Sequence, residues 1–170
     1  DFSQRPCAQL ARCLSQGFVY QGQPDRRGQP RGEPSGHLPP SAFVLFLQNH
    51  DQIGNRAFGE RLQQLCPPAA LHAATVLLLL SPMIPLIFMG DEVAAREPFL
   101  FFTSHHGELA EAVREGRRNE FASFKAFADP QVRQRIPDPN AQATFDASRA
   151  HLSPGDYGSG HRTQALYRQL

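Results

Sequence analysis

FVLFLQNHDQIGNRAFGERL, residues 43–62, is the stretch of sequence that decides the fold. Residues 42–47 form an uninterrupted apolar run rich in β-forming side chains, which predicts a strand covered on both faces, as in a parallel sheet. The run ends abruptly in the polar residues 48–52, Gln-Asn-His-Asp-Gln. A second apolar run, residues 84–88, predicts another buried strand, and the cluster Gly-Asp-Glu follows it at 90–92.

Helical patterns precede, separate and follow these two strands. They cover residues 6–16, the segment from Pro67 or Pro68 to about 80, residues 108–127 and residues 161–170, whereas three prolines predict a loop over 129–140. This order of helix, strand, helix, strand, helix implies βαβ units and a parallel sheet. Sites in such sheets form at the carboxyl ends of the strands, so the two polar clusters are the candidate site.

Two other segments have a composition that needs an interpretation. Residues 73–89 are almost wholly apolar, but Pro82 and Pro85 interrupt them, and a membrane span needs about 20 apolar residues in one helix. We therefore predict a buried helix, a turn and a buried strand there, and no membrane partner. Residues 21–40 are rich in Gly, Pro, Gln and Arg, which fits either a linker or an ordered functional loop.

The overall charge excludes some classes of partner. The net charge is +1, so there is no electrostatic case for nucleic acid or for an anionic membrane. Arg114, Arg117 and Arg118 alternate with glutamates, as is typical of a solvated helix face.

The cysteines and methionines carry two further expectations. Cys7, Cys13 and Cys66 lack metal-binding spacing, which indicates free thiols in a cytoplasmic protein. The sequence also lacks a Gly-rich phosphate loop, and we expect no metal or other cofactor. The first residue is Asp1 and the two methionines are Met83 and Met89, so we expect a fragment of a longer protein.

Asn49, His50, Asp51 and Gln52 after the first strand support two interpretations. They could form a polar turn in which Asn and Asp satisfy nearby backbone N–H groups. They could equally form a sugar-binding edge, where the carboxylate accepts hydrogen bonds from two neighbouring hydroxyls and a neutral His donates to a third. The residues alone leave both interpretations open.

Acidic residues also follow the second strand. Glu92 could pair with Asp51 as an acid and a base, or Asp91 and Glu92 could cap the turn or pair with Arg96. We assign Asp91 a structural role and leave Glu92 open.

The remaining candidates favour structural roles. Adjacent His105 and His106 share neither a helix face nor a strand face, which argues against a metal site. His72 fits a core or interfacial position, and core packing is the first interpretation for the phenylalanines at 99, 101 and 102.

Four motifs carry a resemblance to a known family. QNHDQIGNRAFGERL at 48–62 resembles the seventh-strand region of the α-amylase superfamily of glycoside hydrolases, and within it the malto-oligosyltrehalose trehalohydrolase family. The other motifs are GFVYQGQP at 17–24, SPMIPLIFMGDE at 81–92 and PFLFFTSHHGELAEAVREGRRNEF at 98–121. The resemblance covers nearly the whole chain and is weakest at 147–160.

The fold that the resemblance implies is of the α/β class, a partial (β/α)8 TIM barrel. Residues 1–170 would be the C-terminal portion of one catalytic barrel domain, comprising strands seven and eight with flanking helices. The N-terminal part of the barrel and the flanking domains would be absent.

The reaction that the resemblance implies is hydrolysis with retention of anomeric configuration. The enzyme would cleave the α-1,4 bond next to the trehalose end of malto-oligosyltrehalose, or of a related α-glucan, and malto-oligosyltrehalose synthase would be its partner enzyme. Asp51 matches the third carboxylate, which stabilises the transition state, and His50 matches a histidine that binds the same sugar unit. Asn49 and Gln52 would bind substrate beside them, and Glu92 would be a structural part of the site wall.

The two reacting carboxylates of the family have no match in this chain. They are an Asp on strand four and a Glu on strand five, and a retaining site needs two carboxyl groups about 5 to 5.5 Å apart. We therefore expect the parent protein to be a glycosidase and this chain alone to be inactive. The alternatives are another superfamily enzyme, such as a glycogen branching enzyme, and a non-catalytic glucan-binding remnant.

Overall fold

The computed structural model of this chain describes residues 5–25 and 27–170, which divide into two compact units. The first unit takes in the described residues up to Leu45 together with Leu77–Leu86, and the second takes in Phe46–Val76 and Ile87–Leu170. The helices are α1 (Pro6–Gln16), α2 (His50–Gly54), α3 (Leu62–Leu65), α4 (Pro68–Leu79), α5 (Gly107–Glu120), α6 (Pro130–Gln134), α7 (Gln142–Ala147) and α8 (Gly160–Gln169). The strands are β1 (Gln23–Pro24), β2 (Pro30–Arg31), β3 (Val44–Leu45) and β4 (Ile84–Pro85).

The first helix has the predicted limits. Pro6 suits the first turn because it needs no N–H donor there, and Gly17 ends the helix with a φ of 93°, a conformation that glycine adopts without strain. A β-carbon at Gly17 would overlap the ring of Phe43, so this close approach also requires glycine. None of the residues of α1 is buried.

The segment over 21–40 is ordered in its described part, and Arg26 lies outside the described residues. Strands β1 and β2 form an antiparallel hairpin in which Gln23 pairs with Arg31. After the hairpin, the chain returns to the end of α1, where the buried hydroxyl of Ser35 donates to the Gln16 carbonyl at 2.6 Å. These contacts favour the ordered loop over the flexible linker.

The parallel sheet is confirmed in a short form. Strands β3 and β4 are parallel, with Val44 opposite Ile84 and Leu45 opposite Pro85. The prediction that both strands are covered on both faces is wrong for this chain, because Val44 is 54% exposed and Ile84 is 49% exposed. The physical reason is that, among the described residues, these two strands pair only with each other, and a parallel strand is buried when further elements cover it.

The helix between these strands is also confirmed in position but not in burial. Helix α4 runs from Pro68 to Leu79, and Thr75 and Leu78 are buried. Leu77 in the helix and Leu80 just after it remain exposed, so the described chain covers only part of this segment. Over residues 5–25 and 27–170, every helix falls short of the length and apolar character that crossing a membrane requires.

The second unit packs around small clusters of aromatic and aliphatic side chains. Ala57, Phe121 and Ile136 form one cluster and Val93, Ala95 and Tyr157 form another. Edge-to-face contacts also link Phe88 to Phe99, Phe99 to Phe102 and Phe102 to Phe145, with centroid distances of 5.1, 5.6 and 5.3 Å. These rings confirm that core packing is the role of Phe99 and Phe102.

Two predictions for this unit are wrong: the end of one helix and the absence of a helix from residues 129–140. Helix α5 ends at Glu120 rather than at 127, because Phe121 and the residues after it turn to pack against Ala57 and Ile136. The proline-rich segment 129–140 contains the short helix α6, in which Pro130 occupies the first turn and Asp129 caps the N-terminus by accepting from the Gln131 N–H at 2.8 Å. The final helix is confirmed at Gly160–Gln169.

Candidate functional site

The first candidate cluster lies on helix α2 and its N-terminal cap. The Asn49 side chain accepts a hydrogen bond from the Gln52 N–H at 2.9 Å, so Asn49 is the N-cap of α2. His50, Asp51 and Gln52 occupy the exposed first turn, while Ile53 is only 1% exposed and anchors the helix from below. The polar-turn interpretation therefore describes Asn49, whereas the side chains of His50 and Asp51 face solvent and are accessible to a ligand.

Asn55 holds the Asp51 carboxylate in place. The Asn55 side-chain Nδ2 donates to Asp51 Oδ1 at 3.0 Å, and the Asn55 backbone N–H donates to the Asp51 carbonyl at 2.9 Å. One carboxylate oxygen is thus fixed by a hydrogen bond, and the other is open to an incoming donor.

The second candidate cluster follows β4 and is largely structural. Gly90 has a φ of 89°, and residues Asp91–Val93 form a 3-10 turn that ends at Ala94, a non-glycine residue with a φ of 56°. Glu92 in this turn is half-buried. The structural role predicted for Asp91 is confirmed, but its partners are Gln48, Gln63 and Arg61 rather than Arg96, which is exposed.

Gln48 joins the two clusters. Its buried side-chain amide donates from Nε2 to Asp91 Oδ1 at 2.6 Å and to Gln63 Oε1 at 3.1 Å. Its Oε1 accepts from the Leu62 N–H at 2.9 Å, so both ends of the amide are paired. The residues that follow the two strands therefore meet in space, as the parallel arrangement predicts.

Arg61 is the centre of this polar network. Its side chain is fully buried, with Nε donating to the Glu97 carbonyl at 2.7 Å and Nη1 donating to the Met89 carbonyl at 2.9 Å. Nη1 also lies 3.9 Å from Asp91 Oδ1, and the guanidinium carbon is 5.1 Å from the centroid of the Phe88 ring. One guanidinium group thus links the sequence motif around Asp51 to residues 88–97.

Burial sets the electrostatics of the network. Burial lowers the pKa of Arg61 from its ordinary value, opposed mainly by the charge of Asp91. Burial also raises the pKa of Asp91, against the opposing effect of hydrogen bonds from Gln48 and Gln63 and of the Arg61 charge. Nearby, burial and the hydrogen bond to Glu97 raise the pKa of Tyr157 to about 12, so this hydroxyl stays protonated.

Gly59 lets another segment of the chain approach the motif closely. Its φ is 61°, and its carbonyl accepts from the Phe99 N–H at 3.0 Å. A β-carbon at this position would lie 2.6 Å from the Phe99 carbonyl oxygen, so only glycine fits.

Arg117 corrects one prediction from the sequence. It is only 6% exposed and is not part of a solvated helix face. Its Nη2 donates to the carbonyls of Gly54 and Arg56 at 2.7 and 2.8 Å, and its guanidinium carbon lies 4.7 Å from the centroid of the Phe121 ring. The sequence does contain a signal for the burial of Arg117, because residues 113, 117 and 121 share one helix face and the outer two are Val and Phe.

The other predicted candidates lie outside this site. His105 and His106 are exposed, and His72 is exposed rather than part of a core. Phe101 is 39% exposed and contacts the Arg117 guanidinium. No group of three His, Cys, Asp or Glu side chains that could hold a metal ion occurs in the described ranges.

Arg61 is the important residue that sequence reasoning missed. Its pattern, a charged residue after Gly59 and Glu60 and before a helix, is that of an ordinary surface turn. Composition and spacing contain no signal of its burial, because the carbonyls that pair it are 28 and 36 residues away.

Comparison with known proteins gives consistent results. No protein-family model matches the chain. The chain is 44% identical over 167 residues to the malto-oligosyltrehalose trehalohydrolase of Deinococcus radiodurans, and 42% identical over 165 residues to that of a Rhizobium species. A Salmonella typhimurium crystal structure provisionally assigned as an α-amylase superposes on 99% of the chain with a TM-score of 0.84 and 46% identity.

These similarities span most of the chain but a small part of each relative. They cover 95% of this chain and 27% of each of the two trehalohydrolases, and 28% of the Salmonella protein. The chain therefore spans about a quarter of the length of the curated relatives it matches. Over that length the resemblance stated from the motifs is confirmed.

Replacement of Arg61 by Met should strongly destabilise the fold. The variant leaves two backbone carbonyls and Asp91 without their cationic partner, and breaking a buried charge pair costs about 3–5 kcal/mol. Urea or thermal unfolding of the purified variant measures the loss in the free energy of unfolding. The matched control is Arg96→Met, an exposed position where a change within about 0.5 kcal/mol is expected. Equal losses at the two positions would contradict the role of Arg61.

The raised pKa of Asp91 predicts a pH dependence of stability. A carboxyl group whose pKa is raised on folding favours the folded state below its ordinary pKa, and this contribution is lost as the pH rises through the folded value. Asp91→Asn keeps the shape but cannot ionise. The free energy of unfolding of this variant, relative to the unsubstituted protein, should therefore increase between about pH 3 and about pH 7. Urea titrations across this range would refute the argument if the difference were constant or decreased.

Proposed function

We propose that this chain, a homologue of malto-oligosyltrehalose trehalohydrolase over about a quarter of that enzyme's length, is the last part of a catalytic (β/α)8 barrel. In this proposal β3 and β4 are strands seven and eight, and residues 1–170 are the C-terminal portion of one barrel domain of a longer protein. The exposed apolar side chains of Val44 and Ile84 support it, since the remaining strands and helices of a barrel would cover them.

The reaction proposed is retaining hydrolysis of the α-1,4 bond next to the trehalose end of malto-oligosyltrehalose. The observation that carries this proposal is the Asp51 carboxylate, which is exposed on helix α2, the first helix after β3, and is fixed through one oxygen by Asn55. The hydrogen bond from Asn55 is the one hydrogen bond to this carboxylate within the described part of the chain. Its second oxygen is therefore available to a sugar hydroxyl.

Asp51 would act by stabilising the transition state. Glycosidic bond cleavage develops positive charge on the sugar ring, and hydrogen bonds to ring hydroxyls strengthen as that charge grows. A negatively charged acceptor binds those hydroxyls more strongly in the transition state than in the bound substrate. Asp51 would thus raise kcat more than it lowers KM.

The other site residues would bind and frame the same sugar. His50 is exposed beside Asp51 on the first turn of α2 and would donate a hydrogen bond to a hydroxyl. Gln52 is exposed on the same helix and would bind substrate, while Asn49 would act mainly through its cap. Half-buried Glu92 would form part of the site wall, and the nucleophile and the acid/base would come from strands four and five of the longer protein.

The cellular role follows from this reaction. The substrate would be malto-oligosyltrehalose or a related α-glucan, and the enzyme that supplies it would be malto-oligosyltrehalose synthase. A cytoplasmic location and independence of a cofactor complete the proposal.

Product analysis tests the function. The full-length protein that contains this chain should release trehalose and a shortened malto-oligosaccharide from malto-oligosyltrehalose, detected by chromatography. An α-amylase activity, as the provisional assignment of the Salmonella structure suggests for that protein, would yield maltose-type products without trehalose. New α-1,6 linkages would identify a branching enzyme, and the absence of any turnover would favour a non-catalytic remnant.

Replacement of Asp51 by Asn should lower kcat by at least about 100-fold, because it removes a charge that acts mainly in the transition state. The thermal unfolding midpoint should change little, since Asp51 is exposed. Asp146→Asn is a matched control: this exposed carboxylate on α7 accepts a hydrogen bond at 3.1 Å from an amide side chain four residues away, as Asp51 does. Wild-type kcat in the Asp51 variant would exclude the role assigned to it.

Replacement of His50 by Ala should have a smaller effect. Losing one hydrogen bond to a sugar hydroxyl costs about 1 kcal/mol, so kcat/KM should fall by about 5- to 10-fold. Steady-state kinetics on malto-oligosyltrehalose measures this change. The control is His72→Ala, which also removes an exposed imidazole from a helix, and equal kcat/KM values for the two variants would count against His50.

A further inference from the structure

The helix that carries Asp51 is too short to be stable without contacts to the rest of the protein. Helix α2 has five residues, and isolated helices shorter than about 12 residues are marginal in water. Its geometry must therefore come from contacts outside it. The Asn49 cap fixes the N-terminus, and the buried side chain of Ile53 fixes one face.

The C-terminal end of α2 is held from a distant helix. The last carbonyl groups of a helix lack partners within it and need donors from elsewhere. Arg117, near the end of α5, supplies them: its Nη2 lies 2.7 Å from the Gly54 carbonyl oxygen and 2.8 Å from that of Arg56. Arg117 is itself fixed by an ion pair at 2.9 Å with Glu120 and by the ring of Phe121.

The two carbonyls that Arg117 holds flank the residue that positions the carboxylate. Gly54 and Arg56 are the neighbours of Asn55, whose side chain donates to Asp51 Oδ1 at 3.0 Å. Hydrogen bonds at each end and the covalent backbone around Asn55 between them thus connect the Arg117 guanidinium to the Asp51 carboxylate.

We infer that Arg117 is a positioning residue for Asp51: it acts on turnover by fixing the backbone on both sides of Asn55, and it does not touch substrate. This inference rests on the proposed function of Asp51. A displacement of about 1 Å of a group that stabilises the transition state can cost about 100-fold in rate. The effect of Arg117 should therefore appear in kcat and should depend on the presence of the Asp51 carboxylate.

The test is a double-mutant cycle in the full-length protein, with kcat and KM measured on malto-oligosyltrehalose below the unfolding temperature of every variant. Arg117→Met should lower kcat at least about 10-fold and leave KM within about 2-fold. In the Asp51→Asn background the same substitution should change kcat by less than about 2-fold, because the group it positions is already lost. The kcat of Arg117→Lys should lie between that of the unsubstituted protein and that of Arg117→Met, because an ammonium keeps the charge but cannot reproduce the guanidinium geometry.

A matched control separates positioning from general stability. Arg133 also donates from Nη1 to two backbone carbonyls, those of Phe127 and Ala128 at 2.7 and 2.9 Å, but within the described ranges it makes no hydrogen bond to α2 or to the residues around Asn55. Arg133→Met should lower the unfolding midpoint and leave kcat unchanged. If Arg117→Met proves too unstable to assay, Arg117→Ala with added guanidinium ion replaces it, and recovery of kcat on addition is the expected result.

The outcomes distinguish this inference from the proposed function. Equal losses of kcat from Arg117→Met in both backgrounds would overturn the inference, as would wild-type kcat in Arg117→Met while Asp51→Asn is impaired. Absence of guanidinium rescue in Arg117→Ala would also count against it. Wild-type kcat in Asp51→Asn would instead overturn the proposed function, and the positioning role with it.

Discussion

The buried guanidinium of Arg61 is the interaction on which the arrangement of the second unit depends. A buried charge without partners is very costly, so each of its contacts constrains the segment that provides it. The carbonyls of Met89 and Glu97 and the carboxylate of Asp91 all come from the turn after β4, while Arg61 itself belongs to the motif after β3. The guanidinium therefore ties together the two polar segments in which the candidate site lies.

Gln48 and Arg117 extend this constraint to the helix that carries Asp51. Gln48 lies just before the Asn49 cap and is held by Asp91 and the Leu62 N–H, so the start of α2 is tied to the Arg61 network. Arg117 holds the other end of α2 through the Gly54 and Arg56 carbonyls. Exposed Asp51 thus lies on a short helix that is fixed at both ends by buried polar groups, which is the rigid support that its proposed role would need.

Several apolar side chains of this chain are exposed in segments that resemble the interior of a larger fold. Val44, Ile84 and Leu80 are exposed in segments that the sequence pattern predicts to be buried. Large exposed apolar surfaces in a soluble domain usually contact another element or partner. In the proposed barrel the further strands would cover β3 and β4 and would also contribute the reacting carboxylates. In that proposal, the same further strands would account both for the exposure of β3 and β4 and for the expected inactivity of the chain alone.

The sequence by itself determined the elements and the location of the candidate site. Local signals were enough for this: Pro6 and Gly17 delimit α1, apolar runs mark β3 and β4, and the polar residues after each run mark one edge of a sheet. The long motif around Asp51 also carried the resemblance that the comparisons confirm. Each of these signals lies within a few residues of the feature it predicts.

Only the tertiary structure decided which charged residues are buried and which backbone carbonyls they bind. Arg61 has the local sequence of a surface residue, and Arg117 has an apolar residue only four positions away on either side; the carbonyls that pair them lie from 28 to 63 residues away. The partners of a buried guanidinium are backbone groups that converge only after folding, so a local pattern can mark a buried helix face but cannot identify those partners. The end of α5 at Glu120 has the same cause, because the turn of Phe121 into its cluster outweighs the helical spacing that continues in the sequence.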